Sequence, residues 1–208
     1  VIYQKKDLGY DVKGSLFGRP LSVKGKVNLR PGSNSYTVSL KAGSFPYEVI
    51  GEKLPFTDLV VGVAAADQSV AFDVGARVFG GKVSLTGEVK TNTEPNPFKG
   101  ELRLNGASFK QFVQAYSPGL ETEGDLTGDF TFSGTMNQWE KLEGKGAAII
   151  VNGNLYAIPI IGPLTPLLSA LFPSPIKGYN VAKEANCTYN VKSGLITTED
   201  LEAFTTTF

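Results

Sequence analysis

Apolar and polar residues alternate along residues 11–28, DVKGSLFGRPLSVKGKVN, and the pattern returns without a gap along residues 73–90, DVGARVFGGKVSLTGEVK. The two copies keep Asp, Val, Phe, Gly, Ser, Gly and Val in register. A period of two places successive side chains on opposite faces of a strand, so each copy predicts a β-hairpin with one apolar face. Two-residue turns at Gly18–Arg19 and Gly80–Gly81 set the expected facing pairs. In the first hairpin these are Leu16 with Leu21, Gly14 with Val23, Val12 with Gly25, Tyr10 with Val27 and Leu8 with Leu29. In the second, Val78 faces Val83, Ala76 faces Leu85, Val74 faces Gly87 and Phe72 faces Val89. The other face then carries Asp11 opposite Lys26, Lys13 opposite Lys24 and Asp73 opposite Glu88. Two of these are like-charge pairs, which only a solvated surface tolerates. The predicted sheet is wet on one side and apolar on the other.

Each hairpin is followed by a Gly/Pro/Asn-rich connection and a further strand that ends in a Phe: SYTVSLKAGSF in the first unit, FKGELRLNGASF in the second. The second unit leads into a helix. Ser108 and Gln111 have capping-box spacing, Phe109, Phe112, Val113 and Tyr116 fall on one helical face, and Pro118 and Gly119 end the run. A more divergent third unit follows, with Leu126, Phe130, Phe132 and Met136 on one strand parity, Trp139 and Leu142 before Gly144, and a turn at Asn152–Gly153 whose counterpart one unit earlier is Asn105–Gly106. Residues 157–172, AIPIIGPLTPLLSALF, place Leu164, Leu167, Leu168, Leu171 and Phe172 at helical spacing, with Pro163 or Pro166 suited to a first turn. A closing hairpin follows, with Tyr189 and Val191 before a Ser193–Gly194 turn and Ile196 after it. The expected fold is mainly β, a repeat-built, curled antiparallel sheet with two short helices near one end, forming a single domain over residues 1–208.

Composition narrows what such a sheet does. With 20 basic and 20 acidic residues and no cluster of Lys and Arg, nothing marks a nucleic-acid partner. There is no histidine, which removes Ser-His-Asp and Cys-His nucleophile pairs and most zinc sites together. Cys187 stands alone in the alternating run Ala185, Cys187, Tyr189, Val191 and reads as a small buried hydrophobe; no internal disulfide can form. No apolar run reaches the roughly 18 residues of a membrane span. Strand-like residues at both termini suggest a piece of a longer protein.

Polar candidates are weak. Glu121, Glu123, Asp125 and Asp129 cluster as glycosidase acids or calcium ligands do, yet they alternate loosely with Leu126, Gly128 and Phe130 as an outward face would, and no EF-hand spacing supports calcium. Asn186, Cys187 and Thr188 match a glycosylation triplet. Trp139 and the tyrosines could stack on sugars, but 13 Phe against one Trp favour apolar filling. The apolar face itself leaves two readings open: a second sheet covers it in a sandwich, or a ligand does. Tandem repetition favours the extended binding surface. We expect neither a catalytic residue nor a metal nor a cofactor.

The segments VFGGKVSLTGEV, FKGELRLNGASFKQFVQ, GDLTGDFTFSGTMNQWEKLEGKGAAIIVNGNLYAIPIIGPL and NVKSGLITTEDL together resemble the C-terminal region of the AsmA-like proteins of bacterial envelopes, from about residue 70 onward. The resemblance implies a periplasm-facing protein, held to the inner membrane by parts of a longer chain, whose curled sheet forms a hydrophobic groove for phospholipid passage toward the outer membrane. The expected partner is a phospholipid or other acyl-chain lipid, with membrane contact through the missing regions. The expected groove residues are Val12, Leu16, Leu21, Val23, Val74, Val78, Val83, Leu85, Phe130, Phe132, Leu164, Leu167, Leu168 and Leu171. The alternative is a carbohydrate-binding or adhesive β-sandwich module.

Overall fold

The computed structural model describes residues 6–16, 19–30, 33–49, 52–66, 68–116, 122–153 and 182–204. Thirteen strands follow in order: β1 (Lys6–Leu16), β2 (Arg19–Arg30), β3 (Ser33–Ala42), β4 (Phe45–Val49), β5 (Glu52–Ala66), β6 (Ser69–Val78), β7 (Gly81–Lys90), β8 (Pro97–Ser108), β9 (Asp125–Thr135), β10 (Gln138–Val151), β11 (Glu184–Lys192), β12 (Leu195–Thr197) and β13 (Glu202–Phe204). One helix, α1 (Phe109–Tyr116), lies between β8 and β9 among the described residues. The strands pair antiparallel in the order β1-β2-β3-β5-β6-β7-β8-β9-β10-β11-β12, with β13 on β11 and β4 on the first part of β5. The order has two ends, so the sheet is open. Three units of three strands, β1–β3, β6–β8 and β9–β11, build it, with β4 and β5 inserted after the first. No second sheet covers it among the described residues. The expected helix over 157–172, with Leu164, Leu167, Leu168 and Leu171, lies outside the described residues.

Both repeated hairpins keep the expected faces but shift their register by two residues. Val78 pairs with Gly81, Ala76 with Val83, Val74 with Leu85 and Phe72 with Gly87; in the first copy Gly14 pairs with Leu21, Val12 with Val23 and Tyr10 with Gly25. The second turn is therefore Phe79–Gly80, with φ of 52° and 77°, the signs a two-residue primed turn needs. Phe79 holds this costly conformation through tertiary contacts. It is buried, its ring meets Phe112 edge-on at 5.9 Å, and its carbonyl accepts the Ser108 amide at 2.8 Å. Gly81 meets a different demand, close approach: a Cβ there would stand 2.5 Å from the amide nitrogen of Ala107 on the neighbouring β8. The two adjacent glycines thus serve separate ends, and reading both as turn residues displaces the turn by one. The corrected register also removes the like-charge pairs. Asp11 now faces Lys24 and bonds to it at 2.9 Å, Lys13 faces Ser22, and Asp73 faces Thr86.

Aromatic rings lie across glycines of the adjacent strand, a device that covers exposed backbone on a sheet. Phe72 lies over Gly87, Phe132 over Gly100 and Phe98 over Gly134. A Cβ at Gly100 would meet both the Phe132 ring and the Thr86 carbonyl oxygen at 2.7 Å, whereas at Gly134 only the Phe98 ring, at 2.7 Å, stands in the way. A ring can swing aside and a paired backbone cannot. Gly100→Ala is therefore expected to destabilise by about 1–3 kcal/mol and Gly134→Ala by clearly less. Equilibrium denaturation of the two variants checks the order.

Two bulges close one end of the sheet. In β5 the pairing slips between Thr57 and Val60, with Asp58 at φ 54°, and the first part of the strand leaves the main sheet to pair with β4. In β8 it slips between Leu104 and Ala107 at Gly106, φ 62°, whose amide donates to Thr127 Oγ1 at 3.1 Å. The expected Asn105–Gly106 turn is thus a bulge within a continuing strand. It changes the parity, so that Ala107 turns inward and is fully buried. Helix α1 follows at once, and the Gln111 amide donates to Ser108 Oγ at 3.3 Å, half of the expected capping box. Leu54, Val78, Phe79 and Ala107 form one buried cluster with Ala115 and Tyr116 against it; Phe109 and Ala185 form a second, flanked by Val113, Leu126 and Ile150. Only seven hydrophobic residues are buried among those described.

Candidate functional site

Following the pairing from strand to strand gives rows of residues that share one face. One row runs Tyr10, Gly25, Val38, Val63, Phe72, Gly87, Gly100, Phe132, Gly144, Val191. The next runs Val12, Val23, Leu40, Val61, Val74, Leu85, Leu102, Phe130, Gly146, Tyr189. No charged residue and no amide or aliphatic hydroxyl side chain interrupts either row; the two tyrosines carry the only polar groups. At a strand spacing of about 4.8 Å, a row crossing ten strands spans roughly 45 Å. Helix α1 and the β4/β5 ladder cover only the end where the two buried clusters sit. Elsewhere no described element lies over the face: Leu8 is 65% exposed, Val12 57% and Leu102 37%.

A band of rings crosses the last third of this face. Phe98 meets Phe132 at 6.1 Å, Phe132 stacks on Phe130 at 5.5 Å, and Phe130 stacks on Tyr189 at 5.9 Å. Tyr189 reaches across Gly146 to donate its hydroxyl to the Asp129 carbonyl at 2.8 Å, so even its polar atom is satisfied within the sheet. Its burial raises the phenol pKa. Cys187 pairs with Ala148 on the same face, and burial likewise raises its thiol pKa, keeping the unreactive protonated form.

The opposite face is polar and carries exposed ion pairs, Asp11–Lys24 at 2.9 Å, Glu88–Lys99 at 3.6 Å, Glu101–Arg103 at 2.7 Å and Glu143–Lys192 at 3.6 Å. Such pairs add little stability and favour solubility. A concavity of about 520 Å³ lies on this face between β8 and β11, lined by Arg103, Asp129, Asn186, Thr188 and Asp200 among others. Several of its polar groups are engaged locally. Glu101 holds Arg103; Asp200 accepts from the Thr188 amide at 2.8 Å, the Thr188 hydroxyl at 2.7 Å and Thr198 at 3.2 Å, bonds that keep its carboxyl below the usual range. Of the clustered acids, Asp125 accepts from Asn152 at 3.0 Å and Asp129 faces the concavity. No group of three His, Cys, Asp or Glu that could hold a metal occurs among the described residues, and no described helix is long and apolar enough to cross a membrane.

The expected groove residues fall into three groups. Val12, Leu21, Val23, Val74, Leu85, Phe130 and Phe132 share the open face, and the Cα of Leu16 pairs with that of Arg19 at one end of the same strand parity. Val78 is instead buried in the cluster with Leu54 and Phe79, and Val83 packs against that cluster. Leu164, Leu167, Leu168 and Leu171 lie outside the described residues. Missed from sequence were Tyr36, Val38, Leu40, Val61 and Val63, which carry the face across β3 and β5. The signal was present in β3, where SYTVSLKA alternates perfectly; in β5 the run LVVGVAAA hides it, because its outward residues are also apolar. Comparison with protein-family models, curated proteins and solved structures yields no match.

Proposed function

We propose that this chain binds acyl chains of phospholipid or a similar lipid on the open face of its sheet, as a transfer segment of an AsmA-like envelope protein. One observation supports this most: a continuous apolar face crosses the sheet, and among the described residues no second layer lies over most of it. An area of this extent, on the order of 1,000 Å², exceeds the few hundred Å² of contiguous apolar surface that monomers commonly leave in water. An apolar ligand relieves that cost without any specific polar contact. Each buried methylene is worth about 0.8 kcal/mol, so a 16-carbon chain offers on the order of 12 kcal/mol before ordering costs. The face is aliphatic and aromatic throughout, which suits acyl chains and not sugar hydroxyls. In this reading the sheet is curled into a groove, the protein works in the bacterial periplasm, and other parts of a longer chain hold it to the inner membrane. Native mass spectrometry of protein purified from cells is expected to show bound phospholipid, and a fluorescent acyl probe to bind. Glycan binding that Trp139→Ala abolishes, with no lipid signal, would overturn the reading.

A further inference from the structure

Along the strand direction the apolar face has two unlike margins. A third row, Val27, Tyr36, Ala65, Val70, Val89 and Phe98, extends it on the side away from α1. Beyond that row the chain turns through residues 91–96 and 136–137, and the face gives way to a polar rim on which Gln68, Asn92, Thr93 and Asn137 are exposed. The rim is tied together. Asn92 Nδ2 donates to Gln68 Oε1 at 2.9 Å, Asn96 Nδ2 donates to the carbonyls of Lys90 and Thr93, both at 3.0 Å, and the Thr91 amide donates to the Gln68 carbonyl at 2.8 Å. The opposite margin is apolar and covered: Val83 and Leu104 join the cluster of Val78, Phe79 and Ala107 against which Ala115 and Tyr116 of α1 pack.

We infer that lipid lies on this face with its acyl chains along the strands, tails toward α1 and head group at the rim formed by residues 91–96 and 136–138. This rests on the lipid-binding reading and gives it a direction. A charged head group is costly to bury without polar partners. The three adjoining rows offer it none beyond tyrosine hydroxyls, so it has to leave the face at a margin. Of the two margins, the rim is the one that is polar and that no described element covers. The dimensions agree. From Val89 to Leu85 the uncovered part of β7 spans about 14 Å along the strand, and a bilayer core of about 30 Å leaves roughly 15 Å for the chains of one leaflet. A chain that starts at the rim thus ends at the buried cluster. Laid across the strands instead, the head group would rest among Val, Leu and Phe.

Trp139, the only tryptophan of the chain, stands in β10 beside the Thr135–Gln138 pair that closes the turn at the rim. Its fluorescence tests the direction. The protein is loaded with phosphatidylcholine carrying a nitroxide either near the carbonyl or near the methyl end of one acyl chain, then separated from vesicles. The two labels lie on the order of 10 Å apart along the chain, so the carbonyl-end label is expected to quench Trp139 about twofold more strongly or better. Phe112, at the α1 margin, is 37% exposed with its ring edge-on to Phe79. In a Trp139→Phe, Phe112→Trp variant the order is expected to reverse. Bound lipid with equal quenching by the two labels, or with the opposite order at Trp139, overturns the direction and leaves lipid binding standing. A chain that takes up no acyl probe at all overturns lipid binding itself, and the direction with it.

Discussion

Leu85→Asp and Leu102→Asp, singly and together, are expected to leave the chain folded while strongly weakening acyl-chain binding. The two leucines face each other on β7 and β8 in the middle of the open face, in one row with Val74 and Phe130. Neither belongs to a buried cluster, and Leu102 is 37% exposed. A carboxylate there keeps its water, so the several kcal/mol that burying an unpaired charge costs do not arise in the empty protein. With a lipid present the same carboxylate either loses that water or holds the chain away. Losing contact with about three methylenes, at about 0.8 kcal/mol each, corresponds to roughly 60-fold weaker binding for one substitution. Circular dichroism and melting near those of the parent, with affinity for a fluorescent acyl probe reduced to this degree, are the expected pair of results. Aggregation, or unchanged affinity in a folded variant, counts against an open lipid-binding face.

Much of this face was legible in the sequence because strand parity survives errors of register. Moving a two-residue turn by one position shifts the pairing by two, and a shift of two returns every side chain to its own face. The expected hairpins thus had wrong partners throughout and right faces throughout. The expected register nevertheless carried a warning: it set Lys13 against Lys24 and Asp73 against Glu88, and the observed pairing leaves neither. What sequence could not supply was the parity changes. Gly106 reads as a turn beside Asn105, and only the pairing of Ala107 with Leu126 reveals a bulge that carries β8 onward and delivers Ala107 and Phe109 into the core. The slip at Asp58 is equally silent, since β5 reads as uniformly apolar. These two irregularities decide which part of the apolar face is closed.

For that reason Val83→Asp is expected to behave in the opposite way to Leu85→Asp, although the two positions are two residues apart on the same face of β7. Val83 pairs with Ala76 and with Leu104 and packs against the cluster of Leu54, Val78, Phe79 and Ala107, which Ala115 and Tyr116 of α1 help to close. Val83 is half-buried, so a carboxylate there meets the apolar cluster on one side and loses part of its water. The penalty is about 3 kcal/mol or more, a large share of a stability that for domains generally lies at 5–15 kcal/mol. For a chain of this size that lowers the melting temperature by about 6–12 °C. Phe109→Ala, which empties the centre of the second cluster, is expected to cost about 3–5 kcal/mol by leaving a cavity. Parallel thermal melts of the Val83, Leu85 and Phe109 variants draw the boundary between core and open face. Were Val83→Asp to melt with the parent, α1 would not seal that end, and the open face would extend beneath the helix to the Phe79–Gly80 turn.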